Sequence, residues 1–449
     1  MITIRLRGLV LATSLLLVTW LLVAQTLGNT FLILPCLVCF LLFVAWTAMK
    51  KMVLPVLMFF LPFAALLKIQ PGQTSFFTLA LLVAYTVCLV LGYREIDIIH
   101  VIPAAVLIGF CLLIKTVYGY SLDNNFVLFA FSTIFAPYVA TEFGKRYDFF
   151  WLTLFFTAGI TVASISSLYL AEFASIARYI RYYELFGVVR HSGYYGDPNF
   201  YSAHISAAIA GVFVLLLNNT NKMKMIQLIC MLMVLMYCGF LSVSKMFTLI
   251  VICLCLFFAL EALFKKGKVS LKVLLFLTFG VGALFLVSLS TSSRLIEMIL
   301  SRFDSNANLS DFTTGRTDIW AKFFSAFKQD ASLLLFGQGY TDVMITSKAS
   351  HNTIIQVIFQ FGLVGCVAFV GWIVCLLRIY LKNVKIKWNY FAQVCLILLG
   401  TLGPWMALDM LFFDEMFLMP MYICIGFMSM SGQDVANIKK SRVLKLKFK

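Results

Sequence analysis

The chain has 449 residues, of which 62% are apolar and only 12% are charged, and its mean hydropathy is +0.98. A soluble fold of this size could not bury so much apolar surface, so the composition excludes a soluble globular protein and indicates an integral membrane protein. The net charge of +16 is therefore expected to reflect membrane topology, and we expect no nucleic-acid partner.

Apolar runs recur along the whole chain, and at roughly 17 to 25 residues each is long enough to cross the hydrocarbon core as a helix. They predict an all-α polytopic membrane protein with about 14 transmembrane helices, in a range of about 12 to 14. The predicted spans are 9–25, 30–48, 52–67, 74–92, 100–117, 124–141, 149–170, 200–217, 225–241, 245–263, 271–289, 351–377, 390–408 and 411–430. We expect the first run to be a retained helix, because it lacks the small-residue cleavage site of a signal peptide.

Lysines and arginines are concentrated in alternate connections and in the C-terminal tail. Because these residues favour the cytoplasmic side, their distribution predicts that both termini are cytoplasmic. Two termini on the same side require an even number of spans. Two connections on the predicted outer side are long, and we expect the larger one to carry short amphipathic helices. The predicted organisation is N-terminal transmembrane helices (1–170), a core (171–378) with outer loops 171–199 and 290–350, C-terminal transmembrane helices (379–430) and a basic cytoplasmic tail (431–449).

The cysteine pattern gives no sign of a cofactor. All 12 cysteines lie within predicted spans, where small apolar packing residues are the simplest interpretation. We therefore expect neither a disulfide framework nor a metal site, and no cofactor.

Polar residues mark the outer ends of three predicted spans. The three stretches are Gly196-Asp197-Pro198-Asn199, Ser242-Val243-Ser244-Lys245 and Ser350-His351-Asn352. Each helix would present its N-terminus, with unpaired N–H groups and a positive dipole end, to the outer side, and such ends attract anions. Asp197 before Pro198 is typical of an N-cap followed by proline at the first helical position.

Arg190 and Arg316 lie in the outer loops, against the general charge distribution. Arg316 directly follows Gly315, and Arg190 comes shortly before Ser192-Gly193, so both are in turn-prone settings where a side chain can be aimed from backbone that is not regular helix. With Lys245 they predict a site for an anion such as a diphosphate at the outer membrane surface.

Each feature also has a structural interpretation, and the sequence leaves both open. Asp197 could serve only as a helix cap, Lys245 as a turn charge, and His351 as a satisfied polar residue at a helix start. Aromatic residues at helical spacing most simply lay a loop helix on the bilayer or on the bundle. These residues are Trp320, Phe323, Phe324 and Phe327. The functional hypothesis rests on the occurrence of several cations and a histidine at successive helix ends on one side.

Four stretches resemble the O-antigen polymerase and ligase superfamily of bacterial membrane glycosyltransferases. They are RHSGYYGDPN, SVSK, GRTDIW followed by FGQGY, and SHNTIIQVIFQFGLVG, and the resemblance covers roughly residues 185–370. It implies the family's all-helical glycosyltransferase fold with a site at the outer face. The second stretch has Lys245 where the family usually has arginine. Lysine keeps the positive charge but lacks the two parallel N–H donors of a guanidinium group.

The resemblance implies a donor glycan carried on undecaprenyl diphosphate. Arg190, Lys245 and Arg316 would stabilise the departing diphosphate in place of a metal ion. The candidate general base is His351, kept neutral by the positive helix end, and a single displacement would invert the anomeric configuration. Asn352 would orient a sugar or the imidazole. The remaining substrate-binding candidates are Asp197 and Asn199.

The function that we predict is a polysaccharide polymerase, for O-antigen, capsule or exopolysaccharide, in the bacterial cytoplasmic membrane with its site facing outward. Its expected partners are the undecaprenyl-diphosphate-linked oligosaccharide, the growing glycan chain, and in the membrane a chain-length regulator and a flippase. The nearest alternative is a ligase that transfers the finished glycan to a lipid or cell-wall acceptor. A flippase or exporter is a second alternative, which the nearly charge-free spans make less favourable.

Overall fold

We describe the protein from a computed structural model. The described residues are 2–92, 98–144, 148–180, 183–185, 188–218, 221–264, 313, 315–341, 345, 349–381 and 390–430. The predicted span 271–289, the first part of the larger outer loop and the C-terminal tail 431–449 lie outside them, so the interpretations of these segments stay predictions.

The described chain is almost entirely helical. Its α-helices are α1 (Ile2–Leu27), α2 (Thr30–Met49), α3 (Val53–Phe60), α4 (Phe76–Gly92), α5 (Ile98–Val117), α6 (Asn124–Gly144), α7 (Phe149–Leu170), α8 (Ala174–Ala177), α9 (Pro198–Asn218), α10 (Lys222–Leu241), α11 (Lys245–Phe264), α12 (Arg316–Gln329), α13 (Ala331–Phe336), α14 (Thr353–Leu381), α15 (Phe391–Leu402) and α16 (Glu415–Met430). Short 3₁₀ turns, Leu61–Phe63 and Gly403–Ala407, extend α3 and α15.

Every predicted span within the described residues overlaps one of these helices. Seven described helices are long and apolar enough to cross a membrane, and six shorter stretches are also apolar helix. The protein is therefore an integral membrane protein, while the total of about 14 spans stays a prediction. The last helix begins at Glu415, later than the predicted start at residue 411.

One local departure from the all-α prediction lies in the smaller outer loop. Two three-residue strands, β1 (Tyr183–Leu185) and β2 (Val188–Arg190), form an antiparallel hairpin in which Tyr183 pairs with Arg190. The apolar periodicity of the long spans gives no signal for so short an element, because it is held by only a few backbone hydrogen bonds.

Helix α9 forms the centre of the bundle. In its most apolar window 94% of the residues are buried, and it packs against α7, α10, α11 and α15. Small side chains allow this close packing: a Cβ added at Gly400 would lie 2.8 Å from the carbonyl oxygen of Ser206. The Ser206 hydroxyl donates to the Gly400 carbonyl oxygen at 2.9 Å, which joins α9 to α15. Close approach of this kind, through small residues, is usual between membrane helices.

Helix α14 is broken at Gly362, where φ is +60° and ψ is −179°. The break leaves carbonyl groups without helical partners, which is costly inside a membrane protein unless other donors replace them. The backbone N–H of Gln338 donates to the carbonyl oxygens of Phe359 (3.0 Å) and Gln360 (3.1 Å), and that of Gly339 donates to Gln360 at 2.8 Å. The stretch FGQGY therefore caps the broken helix.

Two glycines make this contact feasible. A Cβ at Gly337 would lie 2.7 Å from the backbone of Gln360, and a Cβ at Gly362 would overlap the backbone of Leu335. The side chain of Gln360 completes the junction, because it accepts from the Thr341 N–H at 2.7 Å and donates to the Thr341 carbonyl oxygen at 2.9 Å.

Two contacts in the described part of the chain mark opposite ends of the bundle. At one end Arg7 lies 3.5 Å from Asp148, so the start of α1 lies beside the start of α7. At the other end the hydroxyl of Ser175, just after α7, donates to the carbonyl oxygen of Thr26 near the end of α1. All the motif stretches are at this second end, which we call the motif end.

Candidate functional site

Arg190, Asn199, Ser242 and Ser244 form a hydrogen-bonded group, here called the Arg190 cluster. Arg190 is 7% exposed, and it donates from Nε to the Ser242 carbonyl oxygen (3.1 Å) and from Nη2 to Oδ1 of Asn199 (3.1 Å). The Ser244 hydroxyl donates to the same Asn199 oxygen at 2.9 Å. Because Lys245 follows Ser244 and begins α11, this second predicted cation is next in the chain to a member of the cluster that holds Arg190.

The predicted N-cap of α9 is confirmed. A carboxylate oxygen of Asp197 accepts from the N–H of Asn199 at 2.6 Å, and Pro198 is the first helical residue. The cap fixes Asn199 where its side chain meets Arg190. A direct contact of Asp197 with substrate stays a prediction.

His191, the residue after Arg190, is held in place by two hydrogen-bond contacts. Its backbone N–H donates to the Leu241 carbonyl oxygen at 3.0 Å, and its Nε2 lies 3.0 Å from the Ser167 hydroxyl oxygen. Burial lowers the pKa of His191 from 6.5 to about 4. The ring is therefore neutral at neutral pH and adds no charge to the cluster.

His351, Ser350, Trp320 and Asp409 form a second group, here called the His351 cluster. The Ser350 hydroxyl donates to Oδ1 of Asp409, and the backbone N–H of His351 donates to Oδ2 at 2.7 Å. The His351 Nδ1 lies 3.6 Å from that same Oδ2, and the His351 side chain is 39% exposed. The indole N–H of Trp320 donates to the Ser350 carbonyl oxygen at 2.9 Å.

Asp409 was not identified from the sequence. It lies between two predicted spans in the apolar run ALDMLF, where a lone carboxylate is costly unless it is hydrogen-bonded. That cost is the signal that could have identified it. Its partners, in contrast, lie 58 and 59 residues away in the chain, so the sequence gives no indication of them.

Asn352 caps helix α14. Its side-chain oxygen accepts from the N–H groups of Ile354 (2.9 Å) and Ile355 (3.3 Å), so this oxygen serves the helix start. The proposed contact of Asn352 with a sugar or with the imidazole stays a prediction.

Arg316 is the first residue of α12, after Gly315 with φ of +76°. The expectation that its backbone is not regular helix is therefore wrong, whereas Arg190 does lie outside helix, at the end of a strand. The left-handed glycine makes the turn, and the helix then places Arg316 on the same face as Trp320, four residues later. Since Trp320 contacts Ser350, that face is directed to the His351 cluster.

Three of the four aromatic residues of α12 pack on the bundle, whereas Phe324 is exposed. Phe323 and Phe327 are buried with Leu333, Ile355 and Phe359, so they anchor the loop helix to α14. The structural interpretation of these aromatic residues is supported, and the predicted amphipathic helix in the larger loop is present in α12.

The segment 403–410 packs against the helix starts next to the two clusters. The Thr353 hydroxyl donates to the Leu408 carbonyl oxygen at 2.6 Å and accepts from the N–H of Met410 at 3.1 Å. Leu408 and Met410 pack with Ala203 on α9 and with Met246, the residue after Lys245. The same short segment therefore contacts the starts of α9, α11 and α14 and carries Asp409.

Backbone strain is concentrated in the motif stretches. Four non-glycine residues of the described chain have positive φ, and three of them are Val243 (+46°), Tyr340 (+65°) and His351 (+50°). A β-branched residue in this region is a clear outlier, and such strain is typical of functional sites. One strained residue lies in each of SVSK, FGQGY and SHN.

Buried ionisable side chains on the helices correct the expectation of nearly charge-free spans. His204 Nε2 lies 2.9 Å from Oε1 of Glu415, and both side chains are almost completely buried. Lys115 is 1% exposed and donates to the Tyr340 carbonyl oxygen at 3.0 Å. The low charge density of the spans is therefore a weaker argument against transport than the sequence suggested.

Residues 228–370, about a third of the chain, match the family model described as O-antigen ligase. The match confirms the resemblance to the O-antigen polymerase and ligase superfamily. It includes Lys245, Arg316 and His351, whereas the stretch RHSGYYGDPN lies outside it. No curated protein matches the chain.

The family match supports activity of the O-antigen ligase or polymerase type. The structure brings the RHSGYYGDPN stretch into hydrogen-bonding contact with the matched segment, through Arg190 and Ser242. The two stretches are therefore neighbours in the fold, although the family match covers only one of them.

Proposed function

We propose that the protein is a polysaccharide polymerase that joins undecaprenyl-diphosphate-linked repeat units at the outer face of the cytoplasmic membrane. The observation that supports it most is that the segment 403–410, which carries Asp409 of the His351 cluster, packs on the helix starts beside the cationic Arg190 cluster. Glycosyl transfer from a diphosphate needs both groups, positive charge at the leaving group and a base at the acceptor.

On the donor side, Arg190, Lys245 and Arg316 stabilise the diphosphate as it leaves. The Nε and Nη2 groups of Arg190 are anchored by Ser242 and Asn199, so its charge is held in place before substrate binds. A fixed cation needs no reorganisation when negative charge develops, which is how a preorganised site lowers the barrier.

On the acceptor side, His351 is the general base. The acceptor hydroxyl oxygen forms a bond to the anomeric carbon, its proton passes to the imidazole, and the bond to the diphosphate oxygen breaks with its electron pair. One displacement of this kind inverts the anomeric configuration. Asp409 holds the His351 backbone and stabilises the imidazolium that forms, and so acts as a positioning residue.

A ligase is the second candidate, and the description of the matched family model favours it. The donor half of the chemistry is the same in both reactions. They differ in the acceptor, which is another lipid-linked glycan for a polymerase and a different lipid or cell-wall component for a ligase.

The test is to incubate the purified protein with synthetic undecaprenyl-diphosphate repeat units and to separate the products by size. A polymerase gives a ladder of products spaced by one repeat unit. No product until a separate acceptor is added would replace the polymerase by the ligase. No chemistry under either condition would overturn glycosyl transfer, and would direct attention to transport and to the buried His204 and Glu415 pair.

A further inference from the structure

A pocket of about 440 Å³ opens at the motif end, beside the two clusters. Its walls come from the segment after α3, the starts of α4 and α6, the loop before α9 and the start of α16. They include none of Arg190, Lys245, Arg316 and His351. The volume lies within the roughly 300 to 1,000 Å³ that is usual for small-molecule sites.

The charges of the pocket do not suit a diphosphate. Two carboxylates, Asp414 and Glu415, and one cation, Lys68, are in its walls. Asp414 Oδ2 accepts from the Thr78 hydroxyl at 3.0 Å. Carboxyl oxygens accept hydrogen bonds from hydroxyl groups, and Lys68 is the one cation among the described lining residues, so the walls favour a neutral ligand rich in hydroxyl groups over a diphosphate.

Several aromatic residues also line the pocket. Tyr340 stacks on Phe129 with ring centroids 4.2 Å apart, and the lining residue Phe413 is 43% exposed. Flat rings next to a few polar groups suit a sugar, whose C–H face packs on an aromatic ring while its hydroxyl groups bind the polar atoms. An exposed ring is also an apolar surface that a ligand can cover.

The pocket lies next to the residues to which we assign glycosyl transfer. The ring centroids of Phe413 and Phe200 are 4.5 Å apart, and Phe200 follows Asn199 in the chain. Leu411 lines the pocket, and its N–H donates to Gln356 on α14 at 3.1 Å. A ligand in the pocket would therefore lie next to residues that fix the starts of α9 and α14.

We propose that this pocket binds a neutral sugar unit of the acceptor glycan, with Asp414 accepting from its hydroxyl groups and Phe413 covering its apolar face. This inference rests on the proposed glycosyl transfer, because only that reaction makes the bound glycan an acceptor. The binding of a sugar in the pocket can be measured without any transfer.

The probe is the lipid-free oligosaccharide that mild acid releases from the polyprenyl-linked glycans of cells making the His351→Ala protein. Its binding to purified wild-type and variant protein is followed by saturation-transfer NMR. Asp414→Asn and Phe413→Ala should each weaken binding by about 10-fold. The first removes the carboxyl group that binds the sugar hydroxyl groups, and the second removes the ring that covers the apolar face of the sugar. Both variants should bind undecaprenyl diphosphate as the wild type does.

Matched controls are Asp148→Asn, at the opposite end of the bundle, and Phe173→Ala, another exposed ring outside the pocket. Both should bind the oligosaccharide normally. Phe413 is exposed, so its variant keeps the test valid if Asp414→Asn fails to fold. The pocket assignment is overturned if the wild type does not bind the probe, if both pocket variants bind it normally, or if the controls lose binding equally.

The two proposals can fail separately. Pocket-dependent binding of the oligosaccharide, in a protein that makes no product from the lipid-linked donor, would keep the sugar site and remove the transfer reaction. Normal transfer with binding that is insensitive to Asp414 and Phe413 would remove only the pocket.

Discussion

At the scale of single residues, the site depends on how each charge is held. Arg190 is anchored by two hydrogen bonds, and Lys245 is the first residue of a helix. Arg316 is also a first helical residue, placed by a left-handed glycine. These settings give different expectations for exchanging lysine and arginine, because only arginine offers two parallel donors to a phosphate.

The first prediction separates charge from geometry. Arg316→Lys should lower kcat/KM by roughly 10- to 100-fold, about 1.4 to 2.7 kcal/mol of transition-state stabilisation, because the charge remains but the paired donors are lost. Lys245→Arg should be nearly neutral, whereas Lys245→Ala should damage turnover. The measurement is product formation at matched protein levels, and equal tolerance of Arg316→Lys and Lys245→Ala would contradict the binding of the diphosphate by these two cations.

The second prediction concerns His191 and the pH dependence of stability. Its pKa is about 4 in the fold and 6.5 as a free side chain. Between these values the unfolded chain binds a proton that the folded chain does not. Stability should therefore fall as pH falls below 6.5, and above that pH protonation of His191 should no longer reduce it.

His191→Gln removes this titration. Between pH 7 and pH 5 the wild type should lose up to about 2 kcal/mol more stability than the variant. Thermal unfolding in detergent at both pH values measures the difference. Since all other groups titrate in both proteins, parallel curves would show that burial of His191 is not linked to protonation.

At the scale of elements, helix starts were predictable and the helix break was not. Asp197 followed by Pro198 is a local signal, and the cap forms as expected. The break at Gly362 depends on amides of the FGQGY stretch, more than 20 residues earlier in the chain. An isolated glycine in an apolar run carries no sign of such a partner.

The third prediction tests that junction. Gly362→Ala should destabilise the protein by about 2 kcal/mol or more, because alanine is strained at positive φ and its Cβ would overlap the backbone of Leu335. Gly371→Ala, in the same helix with open space around the added methyl group, should be neutral or slightly stabilising. Denaturant unfolding in mixed micelles compares them, and equal stability of the two variants would refute the role of the break.

At the scale of the whole molecule, apolar run length predicted the helices well, since crossing a membrane sets their length and satisfies their backbone. The site was only partly predictable. Lys245 and His351 stand at helix starts that hydropathy reveals, whereas Asp409 and the pocket around Asp414 arise from helices that meet only in the fold. Distant partners of this kind leave no periodic pattern in the sequence.

The fourth prediction concerns orientation. Leu122, on the predicted outer side, is 62% exposed, and Met223, on the predicted inner side, is 68% exposed. In a background without reactive native thiols, Leu122→Cys should react with a membrane-impermeant maleimide in intact cells. Met223→Cys should react only after the membrane is opened, and the reverse pattern would place the motif end in the cytoplasm.

The central claim is that His351 and the protein's own cations perform glycosyl transfer. It is tested most directly by product formation from the lipid-linked repeat unit in EDTA, with wild-type protein and with His351→Ala. The wild type should keep its activity, because cationic side chains stabilise the diphosphate, and His351→Ala should lose most turnover while binding the donor normally. Activity that disappears in EDTA and returns with magnesium or manganese, or normal product from His351→Ala, would contradict the account.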